Sequence, residues 1–261
     1  MPDLSLLAAG AFTGFWVGLT GMGGGALMTP LLLLFFGIAP VTAVGTDLWF
    51  ASLTKLLATR VHHHHGLIDW QVVRRLWAGS LPASAITLVL MNWFSPGSQS
   101  LEFLKFAIGV AVLITALGVV MQKYLHDFGR RFRLTEESRF KRMQAPMTIF
   151  SGAVLGVLVT LTSVGAGALG AVLLTYLYPL RLTPPRLIAS DIVHAIPLAM
   201  FAGLGHLVIG HVDFGLLGNL LLGSLPAVVL GAMVSSRLPH HWLRWALSIV
   251  LFSVSSKLLL S

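Results

Sequence analysis

Ten apolar blocks divide the sequence, and several of them reach the ~20 residues that a helix needs to cross a bilayer. The blocks lie at 4–20, 25–37, 42–60, 72–92, 101–121, 147–163, 166–178, 186–209, 214–234 and 241–260. Only 10% of the residues are charged, whereas soluble domains carry about 25%. This pattern excludes a water-soluble globular fold and predicts an all-α polytopic membrane protein.

Two of the blocks, 25–37 and 166–178, are too short to cross the membrane alone. Each follows a glycine-rich break, Gly21 to Gly25 in the first half and Gly165 to Gly167 in the second. Broken helices at corresponding places in two halves indicate the binding site of a secondary transporter. The sequence therefore predicts one glycine-broken helical hairpin in each half.

An internal repeat relates the two halves by a shift of 144 residues. The residues that correspond are Gly21 and Gly165, Pro40 and Pro184, Asp47 and Asp191, His62 and His206, and Asp69 and Asp213. Because Gly, Pro and Asp set this register, general hydrophobic similarity does not explain it. We divide the chain into repeats at 1–121 and 146–261, joined by a basic linker at 122–145, within one integrated transport domain.

The distribution of positive charge predicts the orientation of the repeats. The linker holds seven of the seventeen Lys and Arg residues, which is typical of a cytoplasmic segment beside membrane spans. The loop at 60–75 is also basic, whereas its counterpart at 205–213 contains no Lys or Arg. We therefore predict inverted repeats, each a hairpin plus three transmembrane helices, with both termini outside. The net charge of +8 then reflects cytoplasmic segments beside the lipid bilayer and not contact with nucleic acid. Contact with anionic lipid is the second, less favoured interpretation.

The glycine breaks are candidates for an anion site, because free N–H groups at a helix start carry partial positive charge. Neighbouring hydroxyls, including that of Thr29, are further donors. The predicted substrate-binding residues are Thr20, Gly21, Gly23, Gly24, Gly25, Thr46, Thr162, Ser163, Gly165, Gly167 and Ser190. Close helix packing is the alternative; it better explains the spacing of Gly14 with Gly18 and of Gly152 with Gly156.

Asp47 and Asp191 lie within or at the start of apolar blocks, where a carboxylate costs roughly 2.5–3.5 kcal/mol on insertion scales. Together with His194 they are candidates for proton coupling. Helix N-capping explains the two aspartates equally well. Lys55 either contacts an anionic substrate or extends to the cytoplasmic edge, and the second interpretation is favoured.

The run from His62 to His65 suggests a metal site, but four adjacent side chains of a regular element cannot converge on one ion. An interfacial loop is the favoured interpretation. The absence of Cys removes thiolate ligands and disulfides, and no nucleotide-binding motif is present. We predict no metal, no cofactor and no catalytic residue, and hence no enzyme.

The stretch from Gly14 to Gly25, with Pro40 and then Gly45-Thr46-Asp47, resembles the TauE/SafE family of membrane permeases. The resemblance covers nearly the whole chain. It implies a secondary transporter of the bacterial inner membrane that moves sulfite, sulfoacetate or related organosulfonates, generally outward. Ala168 and Leu169 stand at the positions that correspond to Gly24 and Gly25 of the first cluster. The two halves of the site are therefore expected to be unequal.

Two other functions fit the same pattern of blocks. The chain would serve as a non-transporting membrane subunit or anchor of a redox or assembly complex if its glycines only pack helices. It would be a metal-ion permease if the histidine run binds metal. The preferred hypothesis is an anion transporter that works by alternating access, with protons as candidate coupling ions.

Overall fold

The computed structural model describes residues 3–20, 25–61, 67–93, 98–135, 137–165, 167–235 and 240–260. All regular structure within these ranges is α-helical, as predicted. The helices are α1 Leu4–Thr20, α2 Gly25–Phe36, α3 Pro40–Val61, α4 Trp70–Trp93, α5 Ser98–Thr135, α6 Glu137–Thr162, α7 Ala168–Leu177, α8 Pro184–Ile209, α9 Phe214–Ser235 and α10 His240–Leu260.

Five helices in the described part of the chain are long and apolar enough to cross a membrane. They are Trp70–Trp93, Leu101–Arg131, Phe140–Thr162, Pro184–Ile209 and Phe214–Val234. Large apolar side chains on the outer surface, such as Trp93 and Phe150, are 80% and 70% exposed, which suits contact with lipid. The protein is an integral membrane protein.

Four of the six predicted spans, α4, α5, α8 and α9, are among these five helices. Helix α6 qualifies although it is one arm of the second hairpin, because it begins ten residues before the apolar block at 147. Helix α3 does not qualify, because Asp47 and Lys55 make it less apolar. Helix α10 runs over 21 residues, His240–Leu260, and its described apolar part is Trp245–Leu260.

The described residues of the basic linker at 122–145 are helical. Helix α5 continues through it to Thr135, and α6 begins at Glu137. Lys, Arg, Glu and Gln favour helix, so the charged sequence extends both helices. The amide of Gln122 donates to Thr175 Oγ1 (3.1 Å), and that of Gln144 donates to the carbonyl oxygen of Leu177 (2.6 Å). These bonds tie the segment to α7.

The two halves of the chain are interleaved. Helix α1 packs on α9 and α4 packs on α6, while α3 and α8 lie against each other in the interior. In the repeat, α6 corresponds to α1 and α9 corresponds to α4. The repeat therefore relates the α1–α9 pair to the α4–α6 pair. Helices α5 and α10 also pack together, and they correspond as well. Neither half therefore buries its helices without the other.

Glycines bring the paired helices into backbone contact. A Cβ at these glycines would collide with the facing main chain; the pairs are Gly10 with Leu220, Gly14 with Ser224, Gly18 with Val228, Gly152 with Leu76, and Gly156 with Ser80. The packing interpretation of the GxxxG spacings is confirmed. Gly10 and Gly152 occupy equivalent contacts, so the shift relating α1 to α6 is 142 residues, two fewer than in the downstream repeat.

These contacts predict unequal effects of alanine at two glycines. Gly156→Ala should lower the free energy of unfolding by about 1–3 kcal/mol, because its methyl group meets Ser80 of α4. Gly218 has nothing within 4 Å of the same position, so Gly218→Ala should leave stability unchanged or raise it by up to about 1 kcal/mol. Thermal unfolding in detergent measures both. Equal melting temperatures would contradict the packing.

Candidate functional site

Two buried aspartates, Asp47 on α3 and Asp191 on α8, face the centre of the molecule, with 0% and 1% exposure. Asp47 Oδ2 accepts hydrogen bonds from the backbone N–H (3.2 Å) and the hydroxyl (2.6 Å) of Thr29 on α2. Asp191 Oδ1 lies against Gly170 of α7, where a side chain would displace it. Each aspartate thus contacts the short helix of its own half. Neither caps its own helix, so the predicted N-cap role is wrong.

Lys55 lies within the same cluster. Its side chain is 2% exposed and interacts electrostatically with Asp47 and Asp191. The position follows from helix geometry, because residues seven or eight apart share a face of α3. The favoured interpretation, in which Lys55 extends to the membrane edge, is therefore wrong: two carboxylates compensate its ammonium group in the interior.

His194 completes the cluster from the next turn of α8. Its imidazole is fully buried, and Nε2 lies 3.0 Å from the hydroxyl of Ser80 on α4. Trp77 Nε1 donates to the backbone oxygen of His194 (3.2 Å), which fixes α8 against α4. His194 is also within electrostatic range of Lys55.

The break between α6 and α7 meets this cluster. Ser163, Gly165 and Gly167 have φ values of +59°, +117° and +127°, so the chain is unwound between the two helices. Ser163 lies beside Asp47 of the other half. Helix α7 starts after Gly167 without a side-chain cap on its first N–H groups. Of the first break, Gly25 begins α2, whereas Gly21, Gly23 and Gly24 lie outside the described residues.

Four buried polar atoms of the cluster have no hydrogen-bond partner among the described residues. They are Asp47 Oδ1, Asp191 Oδ1, Ser163 Oγ and His194 Nδ1. A buried polar atom left unpaired costs about 1–3 kcal/mol. A polar ligand that forms hydrogen bonds with these atoms would recover that free energy. We call these four residues together with Lys55 the aspartate cluster.

The chain is similar to known membrane transporter proteins. A sequence profile described as sulfite exporter TauE/SafE matches residues 6–258. The chain belongs to the TauE/SafE family. It is similar to the probable membrane transporter protein YjnA of Bacillus subtilis, with 34% identity over 98% of the chain and 100% of the relative. YunE and YdhB, two other probable membrane transporter proteins of that organism, share 25% and 24% identity over 99% and 87% of the chain, covering 98% and 87% of the relatives. No solved structure matches it.

The remaining hydroxyls predicted for the site have local partners in this TauE/SafE chain. Thr20 and Thr162 donate to the carbonyl oxygens one turn earlier, those of Trp16 (2.8 Å) and Leu158 (2.6 Å). Their protons are therefore engaged by their own helices. Their part in an anion site stays a prediction that no contact in the described residues supports.

Thr46 and Ser190 join the two halves of the TauE/SafE chain and were predicted to face the pathway. Thr46 Oγ1 accepts from the N–H of Asp213 (3.1 Å), and Ser190 Oγ accepts from that of Asp69 (2.9 Å). The two contacts exchange under the repeat. They fix the starts of α9 and α4 against α3 and α8, and a place in the pathway stays a prediction for both residues.

From the sequence, no metal site is predicted at the histidine run. Among the described residues, no group of three His, Asp or Glu side chains is placed to hold a metal ion. His62 to His65 lie outside those residues. His206, the counterpart of His62, is buried, and its Nε2 lies 2.9 Å from the carbonyl oxygen of Thr160.

An ion pair distinguishes Asp69 from its counterpart Asp213 in the two halves of the TauE/SafE chain. Asp69 and Asp213 cap α4 and α9 by accepting from the N–H groups of Val72 and Leu216. Arg181 also donates to Asp69 from Nε (2.6 Å) and Nη2 (2.8 Å). The residue that corresponds to Arg181 in the first half is Gly37, so Asp213 has no equivalent arginine there.

This difference predicts that one of two matched substitutions destabilises the protein more. Asp69→Asn keeps a capping oxygen but loses the charged pair, so it should lower the free energy of unfolding by about 1–2 kcal/mol, since Arg181 is partly exposed. Asp213→Asn should change it by less than about 0.5 kcal/mol. Chemical unfolding in detergent compares the two. Equal losses would show that the ion pair contributes nothing to stability.

Proposed function

We propose that this membrane transporter carries small sulfur-containing anions, such as sulfite or organosulfonates, by alternating access in the bacterial inner membrane. The observation that carries the proposal is the aspartate cluster, where the helix break of one half meets Asp47 of the other half in the interior. Unwound backbone at membrane depth is tolerated where it lines a cavity or is buried in protein. Transport needs no covalent step, so we assign no catalytic residue.

The anion would contact the groups of the cluster that donate. Those are the Lys55 ammonium, the Ser163 hydroxyl and the N–H groups at the start of α7. An ammonium and uncapped helical N–H groups both favour a negative oxygen. This helix start follows Ser163, a residue with positive φ that lies beside Asp47 of α3.

The charge of the cluster couples the anion to a proton. Two carboxylates and one ammonium, all ionised, sum to one negative charge, which repels an anion in a medium of low dielectric constant. Protonation of Asp47 or Asp191 removes that repulsion, and His194 lies close enough to take part. We therefore propose that a proton enters with the anion.

The direction of transport follows from this coupling. A monoanion and a proton move as a neutral pair, so the pair leaves the cell when the cytoplasmic anion concentration is high enough to exceed an opposing pH difference. The exchange of α1–α9 with α4–α6 under the repeat supports inverted halves that alternate. We place 122–145 in the cytoplasm and both termini outside on the positive-inside pattern.

Purified protein in liposomes tests the proposal. Uptake of sulfite and of simple sulfonates should rise when the outside is acidified, and should exceed uptake by protein-free liposomes at every pH. Chloride uptake is the control for a general anion leak. Flux that ignores the pH difference but follows the membrane potential would contradict coupling while leaving transport intact. An absence of anion flux under every gradient would favour the non-transporting subunit, and metal-dependent flux would favour the permease.

A further inference from the structure

A polar cavity of about 320 Å³ lies between the N-terminal parts of α4 and α6 and the segment that follows α7. Three cationic side chains line it, those of Arg75, Lys141 and Arg181, together with Gln144 and Tyr178. None of these residues belongs to the aspartate cluster. The proposed transport path does not use them, so the cavity is a separate feature of the molecule.

The side chains of the cavity wall are held by hydrogen bonds within the protein. Arg75 Nη1 donates to the hydroxyl of Tyr178 (3.2 Å), which lies 2.8 Å from the hydroxyl of Thr148. Arg181 is fixed by its two bonds to Asp69 and lies over the ring of Tyr178, with Cζ 5.8 Å from the centroid. Tyr178 itself is 1% exposed. Arginines held in this way lose little freedom when a ligand binds.

The charge and shape of the cavity indicate its ligand. Arginine presents a planar fork of donors that matches phosphate oxygens, and lysine adds a point charge. The carboxylate of Asp69 pairs with Arg181 in the wall. The mouth includes Leu180, an apolar residue that is 56% exposed. A phosphate group therefore fits the polar interior and leaves room for a small substituent toward an apolar rim.

We propose that this cavity binds a phosphate-bearing anion, supplied by an anionic phospholipid headgroup or by a soluble phosphate ester. Its phosphate contacts Arg75 and Lys141, while Arg181 keeps its bonds to Asp69. Occupancy joins α4, α6 and the segment after α7 through one ligand. The inference does not depend on the transported substrate, because binding is measured without flux.

Binding to the purified full-length protein tests the proposal. Native mass spectrometry follows phosphatidylglycerol, with zwitterionic phosphatidylcholine as the reference lipid, and calorimetry follows inorganic phosphate and glycerol 3-phosphate. The double variant Arg75→Gln/Lys141→Gln should weaken binding of the phosphate-bearing probe roughly tenfold or more, the effect of one lost charge-assisted hydrogen bond. The control Arg74→Gln/Lys123→Gln removes the same charge from exposed positions outside the cavity and should change binding less than about twofold.

The outcomes separate the sources and the failures. Loss confined to phosphatidylglycerol assigns the site to a lipid headgroup, and loss confined to the soluble probes assigns it to a free phosphate. If Arg75→Gln unfolds the protein, Lys141→Gln alone is compared with Lys123→Gln, since both lysines are exposed. Equal weakening in the variant and its control overturns the proposal, as does a wild-type protein that binds none of the anionic probes.

Discussion

Asp191→Asn should lower proton-stimulated sulfite flux in liposomes by roughly 100-fold or more, which corresponds to about 2.7 kcal/mol on a barrier. Asparagine has nearly the shape of aspartate but exchanges no proton. In the native cluster the Asp191 carboxyl lies against Gly170 and balances Lys55. Without it, Lys55 loses one of two compensating charges, and the remaining carboxyl, Asp47, is held by Thr29. The amide keeps the site in the neutral form that holds the anion, so the anion is released slowly, and the rate and the acid stimulation fall together.

The matched control for this substitution is Asp213→Asn. Asp213 caps α9 and belongs to the other aspartate pair of the repeat, outside the cluster. The same chemical change there should leave flux within about twofold of the wild type. Flux that keeps its response to external acid in Asp191→Asn would remove that aspartate from the coupling step. Equal losses in both variants would point to a general effect on folding.

Gly167→Ala should reduce sulfite flux by roughly tenfold or more, equal to about 1.4 kcal/mol on a barrier. At a φ of +127° an alanine is strained, and relief of the strain turns the N–H groups at the start of α7 away from the cluster. Gly210→Ala introduces the same kind of strain at a φ of +88°, at the end of α8, where nothing lies within 4 Å. That control should lose stability but keep its flux.

The measurement compares flux per folded protein for the two alanine variants. Both variants are expected to lose about 1–2 kcal/mol of unfolding free energy. They should therefore unfold at a lower temperature than the wild type. Only the first is expected to transport slowly at a temperature where both are folded. If Gly167→Ala transports as fast as Gly210→Ala, the break before α7 is a packing feature and takes no part in anion binding.

The helices themselves followed from the sequence because lipid leaves a chain few options. Apolar blocks of sufficient length must form helices, and all ten predicted blocks correspond to helices. The helical form of the segment at 122–145 was not predicted, because its charge indicated only a cytoplasmic linker. Polar residues with good helix propensity continue α5 and α6 there, and Gln122 and Gln144 give the extension contacts to make.

The candidate site was predictable in part. Asp47 and Asp191 stood out because carboxylates rarely occur within apolar blocks, and the repeat paired them. Ser80 belongs to a segment, 79–83, that recurs in the second half, and this recurrence was the available signal for it. Contacts between halves were not predictable, because the sequence places Ser163 more than a hundred residues from Asp47.

Lys55 and the hydroxyls of Thr46 and Ser190 also have partners that the sequence did not predict. Position along a helix gives the face of a residue but not its neighbours, so Lys55 was assigned to the membrane edge. Thr46 and Ser190 looked suited to a polar pathway, yet each serves a backbone N–H at the start of another helix. The competing partner in each case comes from a distant part of the chain.

The unequal fastening of Asp69 and Asp213 has a consequence for the resting conformation. If the halves trade places during the cycle, separating α4 from the residues before α8 breaks two charged hydrogen bonds to Arg181. Separating α9 from the residues before α3 breaks none of that kind, because Gly37 stands there. The contact at Asp213 is then the weaker of the two. The conformation in which that contact is broken is therefore the more populated one. In that case the resting conformation is asymmetrical, although the sequence repeat is nearly symmetrical.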